Sequence, residues 1–448
     1  MSTKRMMRWG VVLFLLVALP MMTAVMAQGQ EPVGKQLPVV TEPGESQAPE
    51  ANINESEPNN NTGAADVMSI NDVMSGAINP SGDDDFFKFF VPSQKYNPGT
   101  GIEILIDVDA LSINSPLDST VCLYDSGGNQ IGCDDDTDGL DPMYYRNLYT
   151  GWYYVRVQDF GDNGGGSDYR YNLIVSSPLL ISASAANLGT VSVAGITFKS
   201  EDILAHSHVG NNAEKWVMFF DGSDLGMKTL TNVGAWGGNS DLVLGVGANI
   251  NLRHYQTNNL ITASPFDIVK FVVGDTGTDQ GYGASSWGGF YLLLVGKNQQ
   301  LTTSTEKLDA LDGWQYGYND SCSGHPVSTT GKAIVTTTGG ANLTVADEDV
   351  MCKYAHNGYG PWTMYLDGST VSGLAAEDVF AMAYDDTHEK LYLTILGTGN
   401  IAGNAVSQKD IFALSYPSRA WGGFVWRGTQ HGWNYNIDAF EYSGYGGW

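Results

Sequence analysis

Five oxygen-bearing side chains fall at alternate positions in two short stretches. Glu55, Glu57 and Asn59 are spaced by two, as are Asp83 and Asp85. In extended backbone, residues i and i+2 project from the same side. Each stretch therefore presents a row of hard oxygen donors. Ca²⁺ takes about 6–8 such oxygens at about 2.3–2.6 Å. The pattern nominates Glu55, Glu57, Asn59, Asp83 and Asp85 as Ca²⁺ ligands, with Asn60 and Asp84 beside them. The competing reading is a solvated acidic turn capped by Asn and Ser. A second acidic run, Asp134-Asp135-Asp136-Thr137-Asp138-Gly139, lacks EF-hand spacing and the terminal Glu, and reads as a charged hairpin tip.

Other chemistry is sparse. Neither H-E-x-x-H nor G-x-S-x-G occurs. The seven histidines are scattered. His206-Ser207-His208 places two imidazoles on one strand face, but the sequence identifies no third ligand for a metal. Acidic pairs suited to glycoside hydrolysis are too plentiful here to be diagnostic. The expectation is a non-enzymatic chain. Four cysteines suit an oxidising compartment. Cys122 and Cys133 flank the turn-like Asp125-Ser126-Gly127-Gly128, which predicts a bridge between adjacent strands and leaves Cys322 with Cys352. Free buried thiols are the alternative.

The segments that must position these residues begin after a leader. Lys4, Arg5 and Arg8 precede an apolar run over 10–19, and Val25-Met26-Ala27 offers small residues for cleavage before Gln28. Residues 1–27 read as a secretory signal peptide, which predicts a secreted or cell-surface protein without a transmembrane anchor in the mature chain. Residues 28–53, rich in Gln, Glu, Pro, Gly and Ser, read as a disordered linker. The net charge of −27 disfavours nucleic acid and anionic lipid as partners and favours cations.

Glycine at 55 residues and aromatics at 11% suit many short strands joined by tight turns. Over 54–176, strands are expected at 85–91, 102–109, 119–124, 152–157 and 169–175. In 102–109, Ile102, Ile104, Ile106 and Val108 alternate with Glu103, Leu105, Asp107 and Asp109, the signal of a half-buried strand. The stretch resembles the bacterial pre-peptidase C-terminal domain, a family that includes the collagen-binding domains of clostridial collagenases. The matching pieces are Glu55-Ser56-Glu57-Pro58-Asn59-Asn60, Gly82-Asp83-Asp84-Asp85-Phe86-Phe87, Leu123-Tyr124-Asp125-Ser126-Gly127-Gly128-Asn129 and Gly151-Trp152-Tyr153-Tyr154-Val155-Arg156-Val157, closed by 169–175. The resemblance implies a jelly-roll-like β-sandwich, and it implies Ca²⁺ at the same Glu/Asn segment and strand Asp residues. No peptidase precedes the stretch, so protease activity is not inherited from it.

Residues 178–448 repeat internally. Trp362-Thr363-Met364-Tyr365-Leu366-Asp367-Gly368-Ser369 echoes Trp216-Val217-Met218-Phe219-Phe220-Asp221-Gly222-Ser223, and Trp421-Gly422-Gly423-Phe424 echoes Trp287-Gly288-Gly289-Phe290. Each Trp strand is followed by an apolar-x-Ala strand (Ala235, Ala310, Ala381, Ala439). A third strand follows, then a fourth led by Asp: Asp267, Asp349 and Asp410. The last unit stops after its second strand, and its missing strands are found at 179–183 and 201–203. Four units sharing both chain ends predict a four-bladed β-propeller; two tandem β-sandwiches are the rival. Asp221-Gly222-Ser223 and Asp367-Gly368-Ser369 read as turns, with Gly at positive φ. Trp314, Trp426, Trp433 and Tyr445 are the aromatics open to exposure. The functional expectation is secreted binding or adhesion, with a Ca²⁺-bearing accessory sandwich and a repeat platform facing a matrix protein or glycan. An extracellular polysaccharide hydrolase or lyase, or a structural envelope component, are the alternatives.

Overall fold

A computed structural model describes residues 51–93, 101–137, 140–184, 191–211, 213–223, 225, 227, 230–236, 241–272, 289–299, 301, 307–315, 332–337, 346–354, 362–385 and 390–442. The leader, nearly all of the linker, Asp138, Trp287, Cys322 and Tyr445 lie outside them, as do the side chains of Trp314 and Cys352. The Cys322–Cys352 pairing therefore falls outside the described residues. The fold is all-β, and among the described residues its helices are single 3-10 turns.

The N-terminal part is a sandwich of two five-stranded sheets. One runs in the order Asn52–Asn54, Val73–Ala77, Arg170–Ser176, Ile102–Asp109, Met143–Leu148. The other runs Asp66–Val67, Asp85–Val91, Gly151–Asp159, Ser119–Tyr124, Gln130–Asp134. Alternation drives the packing. Phe87, Phe89 and Val91 face inward from one sheet and meet Ile102, Ile104, Ile106, Val108 and Leu173 from the other. Cys122 lies opposite Cys133 on neighbouring antiparallel strands, and the two form a disulfide.

The strand 102–109 departs from the half-buried expectation, because both of its faces are covered. Leu105 packs with Leu180, Val217 and Phe219 in a second core. On the same outer face, Asp107 and Asp109 receive the Lys215 ammonium at 3.1 and 3.2 Å. Tyr145 meets Phe219 edge-on at 4.7 Å between centroids. The sandwich thus docks on the C-terminal sheets through an apolar patch with one buried-side ion-pair triad.

The C-terminal part holds four antiparallel four-stranded sheets among the described residues. Sheet I comprises Ile437–Tyr442, Leu179–Ala183, Ile203–Val209 and Ala213–Phe220. Sheet II comprises Leu230–Trp236, Asp241–Val246, Ile268–Val272 and Gly289–Leu294. Sheet III comprises Leu308–Gln315, Lys332–Thr337, Val350–Tyr354 and Trp362–Leu366. Sheet IV comprises Val379–Asp385, Lys390–Ile395, Asp410–Ser415 and Trp421–Arg427. The first strand of each sheet lies beside the first strands of two others, in the cycle II–III–IV–I–II. These strands carry the repeated alanines. Ala310, Ala381 and Ala439 are buried, and their small side chains admit close approach.

Sheet I joins both ends of this region. Leu179–Ala183 pairs antiparallel with Ile437–Tyr442, and Ile181 sits opposite Phe440. The units are cut differently from the expectation. The Trp-led strand ends a sheet instead of opening one, so Trp421–Arg427 completes sheet IV and one strand, not two, crosses from the C-terminal side. In sheets I, II and IV a two-stranded hairpin is inserted between the second and third strands, at Val191–Phe198, Ile250–Ala263 and Thr398–Ser407.

The repeated Asp and Gly form a lock. One carboxylate oxygen of Asp202, Asp267 and Asp349 accepts the N–H three residues earlier, from Lys199, Ser264 and Ala346, at 2.7–2.9 Å. The other accepts the N–H of Gly222, Gly296 and Gly368, just beyond the Trp-led strand, at 2.8–3.0 Å. Asp221 caps Ser223 and Asp367 caps Ser369, as expected of turns. The glycines serve a different need, however. Gly222 and Gly368 are not at positive φ. A Cβ at Gly222, Gly296 or Gly368 would collide with the carbonyl oxygen of Glu201, Phe266 or Glu348. Gly222→Ala and Gly368→Ala are each expected to cost about 1–3 kcal/mol, the usual range for overpacking. Chemical denaturation measures it, and a loss below about 0.5 kcal/mol, within the noise of neutral surface substitutions, would contradict the lock.

Candidate metal centre

The rim of the sandwich collects acidic groups from both sheets. Glu55 continues the edge strand Asn52–Asn54, and its N–H donates to Ser75 at 3.0 Å. Its carboxylate turns inward and accepts the Ala77 N–H at 2.7 Å. Asp85 opens the strand Asp85–Val91 of the facing sheet and is fully buried. Glu57 follows on the loop and accepts the Asn59 N–H at 3.0 Å. One carboxylate oxygen from each of Glu55, Glu57 and Asp85 lies within 4.8 Å of the others.

Tyr171, from Arg170–Ser176, stands between two of them. Its hydroxyl lies 3.1 Å from Glu55 Oε2 and 2.5 Å from Asp85 Oδ2. A phenol carries one proton, so it donates to one carboxylate at a time. Gly76 lies opposite Tyr171 in the ladder, and any Cβ there would strike the Tyr171 hydroxyl and the Glu55 carboxylate.

The five expected ligands fare differently. Glu55, Glu57 and Asp85 converge. Asn59 is fully buried and its side-chain amide has no hydrogen-bond partner on either atom. Asp83 is buried, accepts from Asn60 Nδ2 and from the Asn79 N–H at 3.2 Å, and adds its charge to the field on the other three. Of the adjacent candidates, Asn60 is engaged with Asp83, and Asp84 pairs with Arg156 at 3.7 Å. In the second acidic run, Asp134 accepts from the Thr137 hydroxyl and from the Met143 N–H at 2.8 Å, which fits a hairpin end.

Burial dominates the electrostatics. It pushes the Asp85 carboxyl up to about 9, reinforced by the charges of Glu55 and Asp83 and partly offset by the Tyr171 hydroxyl. Glu55 and Glu57 are raised for the same first reason. One Asp85 oxygen has no hydrogen-bond partner. Carboxylates clustered around a buried one either hold protons or hold a cation. Hard carboxylate oxygens of this kind are the donors that Ca²⁺ takes.

Tyr171 escapes the sequence reading. Its place in the alternating strand 169–175 shows that it points inward, but only the ladder reveals Glu55 and Asp85 as its neighbours. The candidate exposed aromatics are corrected: Trp426 and Trp433 are buried and pack with Trp216 and Phe198. Among the described residues, no helix is long and apolar enough to cross a membrane.

The chain matches no protein-family model and no curated protein. Among solved structures, it is similar to the pre-peptidase C-terminal domain of collagenase from Bacillus anthracis, at 20% identity and a TM-score of 0.20. That match covers 25% of this chain and 94% of the other.

Proposed function

We propose that this chain is a secreted, non-enzymatic binding protein whose sandwich is stiffened by Ca²⁺. Glu55, Glu57 and Asp85 would be the anionic ligands, and Asn59 and Asp83 would complete the donor set. The four C-terminal sheets would form a four-bladed propeller that presents a recognition face to a matrix protein or glycan. The observation that supports this reading best is the convergence of an exposed (Glu57), a half-buried (Glu55) and a fully buried (Asp85) carboxylate, with one phenolic proton between the last two. A solvated acidic turn would leave such groups exposed, whereas Asp85 and Asn59 are fully buried.

An ion held by strands of both sheets would fasten the edge strand Asn52–Asn54 to the sandwich rim. Among the described residues, that strand pairs with Val73–Ala77 and lies at the sheet's edge. The test is calorimetric titration of the full chain with Ca²⁺ after chelator dialysis. One equivalent is expected, and Glu57→Gln is expected to weaken binding at least about tenfold, since it removes an anionic ligand. No heat and no change in melting temperature across millimolar Ca²⁺ would leave the acidic-turn reading in its place. A glycan and matrix-protein array probed with and without Ca²⁺ tests the recognition face.

A further inference from the structure

A second cluster differs from the carboxylates in chemistry and in the strands that carry it. His206 and His208 project from one face of Ile203–Val209, as their spacing of two requires. The neighbouring strand Ala213–Phe220 places Glu214 opposite His208 and Trp216 opposite His206. His431 arrives from the turn that follows Gly428–Gln430, beyond the outer strand of sheet IV. All three imidazoles reach the same carboxylate. His208 Nε2 lies 3.1 Å from Glu214 Oε1 and His431 Nδ1 lies 2.9 Å from it, while His206 Nε2 contacts Oε2. The four ligand atoms fall within 4.8 Å of one another.

Aromatic packing holds the rings in place. His206 stacks on Trp216 at 4.0 Å between centroids, and His431 stacks on Trp426 at 5.4 Å with planes 8° apart. Trp216 in turn stacks on Trp433 at 5.7 Å. His206 is fully buried, whereas His208, Glu214 and His431 reach the surface. A small ion therefore has a route in, and the ligands keep their directions without it.

We propose that His206, His208, Glu214 and His431 form a second metal site, for a first-row transition dication such as Zn²⁺, which clasps the sheet IV–sheet I connection to sheet I. Three imidazole nitrogens and one carboxylate oxygen make a borderline donor set that selects Zn²⁺-type ions over Ca²⁺. Four protein ligands describe a closed, structural site. Its place in the chain gives it work to do. His431 lies six residues before Ile437, where the strand that completes sheet I begins. The rival arrangement is a hydrogen-bond hub, in which Glu214 accepts three imidazole N–H groups and no metal takes part.

The full chain, stripped with chelator and dialysed, would be titrated with Zn²⁺ and separately with Co²⁺. One equivalent of Zn²⁺ is expected to bind, with the visible absorption of four-coordinate Co²⁺. His208→Ala and His431→Ala are expected each to weaken binding at least about 100-fold, the upper end of what losing a supporting residue costs. Both residues are near the surface, and unchanged circular dichroism would confirm that the variants fold. His431→Gln serves as the second variant at that position. Asp85→Asn should leave Zn²⁺ binding intact, which separates this site from the carboxylate cluster. Failure of the folded chain to bind Zn²⁺, or equal binding by the folded His variants, would overturn the site in favour of the hub.

Discussion

In Ca²⁺-free buffer, the stability conferred by Asp85 is expected to fall as pH rises from about 4 towards about 9, and Ca²⁺ is expected to reverse that slope. The sign follows from linkage. Burial raises the folded-state carboxyl from 3.8 to about 9. Between those values the unfolded chain has released the proton and the folded chain still holds it. The folded state then binds more protons, so its stability decreases with pH. A carboxyl displaced this far by burial makes a large contribution to the pH dependence of stability. Asp202, Asp378 and Asp438 are also raised by burial, to about 7, 7 and 8, and slope the same way. His206 opposes them, because burial lowers it to about 4, and its contribution is lost as pH falls below about 6.5. Comparison of the native chain with Asp85→Asn cancels these shared terms. The variant should melt higher than the native chain in chelator at pH 8 and should no longer respond to Ca²⁺. The native chain should release protons on binding Ca²⁺, and its affinity should rise from pH 5 to pH 8. A variant that melts lower in chelator, or a Ca²⁺ response that survives the substitution, would refute the buried-carboxylate account.

Removal of residues 436–448 is expected to abolish the folded C-terminal region rather than fray it. The deletion removes Ile437–Tyr442 and leaves His431 in place. Ile437, Ala439 and Phe440 are buried, and so is every residue of the partner strand Leu179–Ala183. Burying one large apolar side chain is worth about 1.5–3 kcal/mol, so the summed loss approaches the whole stability of an ordinary domain, about 5–15 kcal/mol. The cut also strips a neighbour from the first strands of sheets II and IV. Exposed apolar strand edges invite aggregation. The expected readout is loss of monomer in size-exclusion chromatography and rapid proteolysis across sheets I–IV. A monomeric product with an unchanged melting temperature would mean that the sheets stand independently, as two tandem sandwiches would.

Much of this organisation is legible in the chain because side-chain period reports local geometry. The alternating Ile residues of 102–109, the Phe run of 85–91 and the spacing of Glu55, Glu57 and Asn59 identify strands and their faces directly. The repeated Trp, Ala and Asp mark the four units. What the period cannot report is which strand pairs with which. A repeat has no visible starting point, so Trp421 can be assigned to either of two sheets until the ladder places it with Asp410–Ser415. For the same reason, Leu105 and Asp107 read as solvent-facing until Phe219 and Lys215 cover them. Glu214 and His431 are separated by more than two hundred residues, and only the return of the chain to sheet I brings them to His206 and His208. Gly222 and Gly368 read as turn glycines with a conformational need, but the need is space beside a carbonyl.

The pairing of Ile181 with Phe440 also sets a clock on biosynthesis. At about 5–20 residues per second, the roughly 260 residues between them take about 13–50 s to make. Throughout that interval the strand Leu179–Ala183 can bond to Ile203–Val209 on one side, but its other side has no native partner. Sheet I therefore stays incomplete until the last strand emerges. A chain interrupted anywhere before residue 437 keeps that edge open, and chaperones and proteases can recognise it, so the fold itself discriminates finished molecules from unfinished ones.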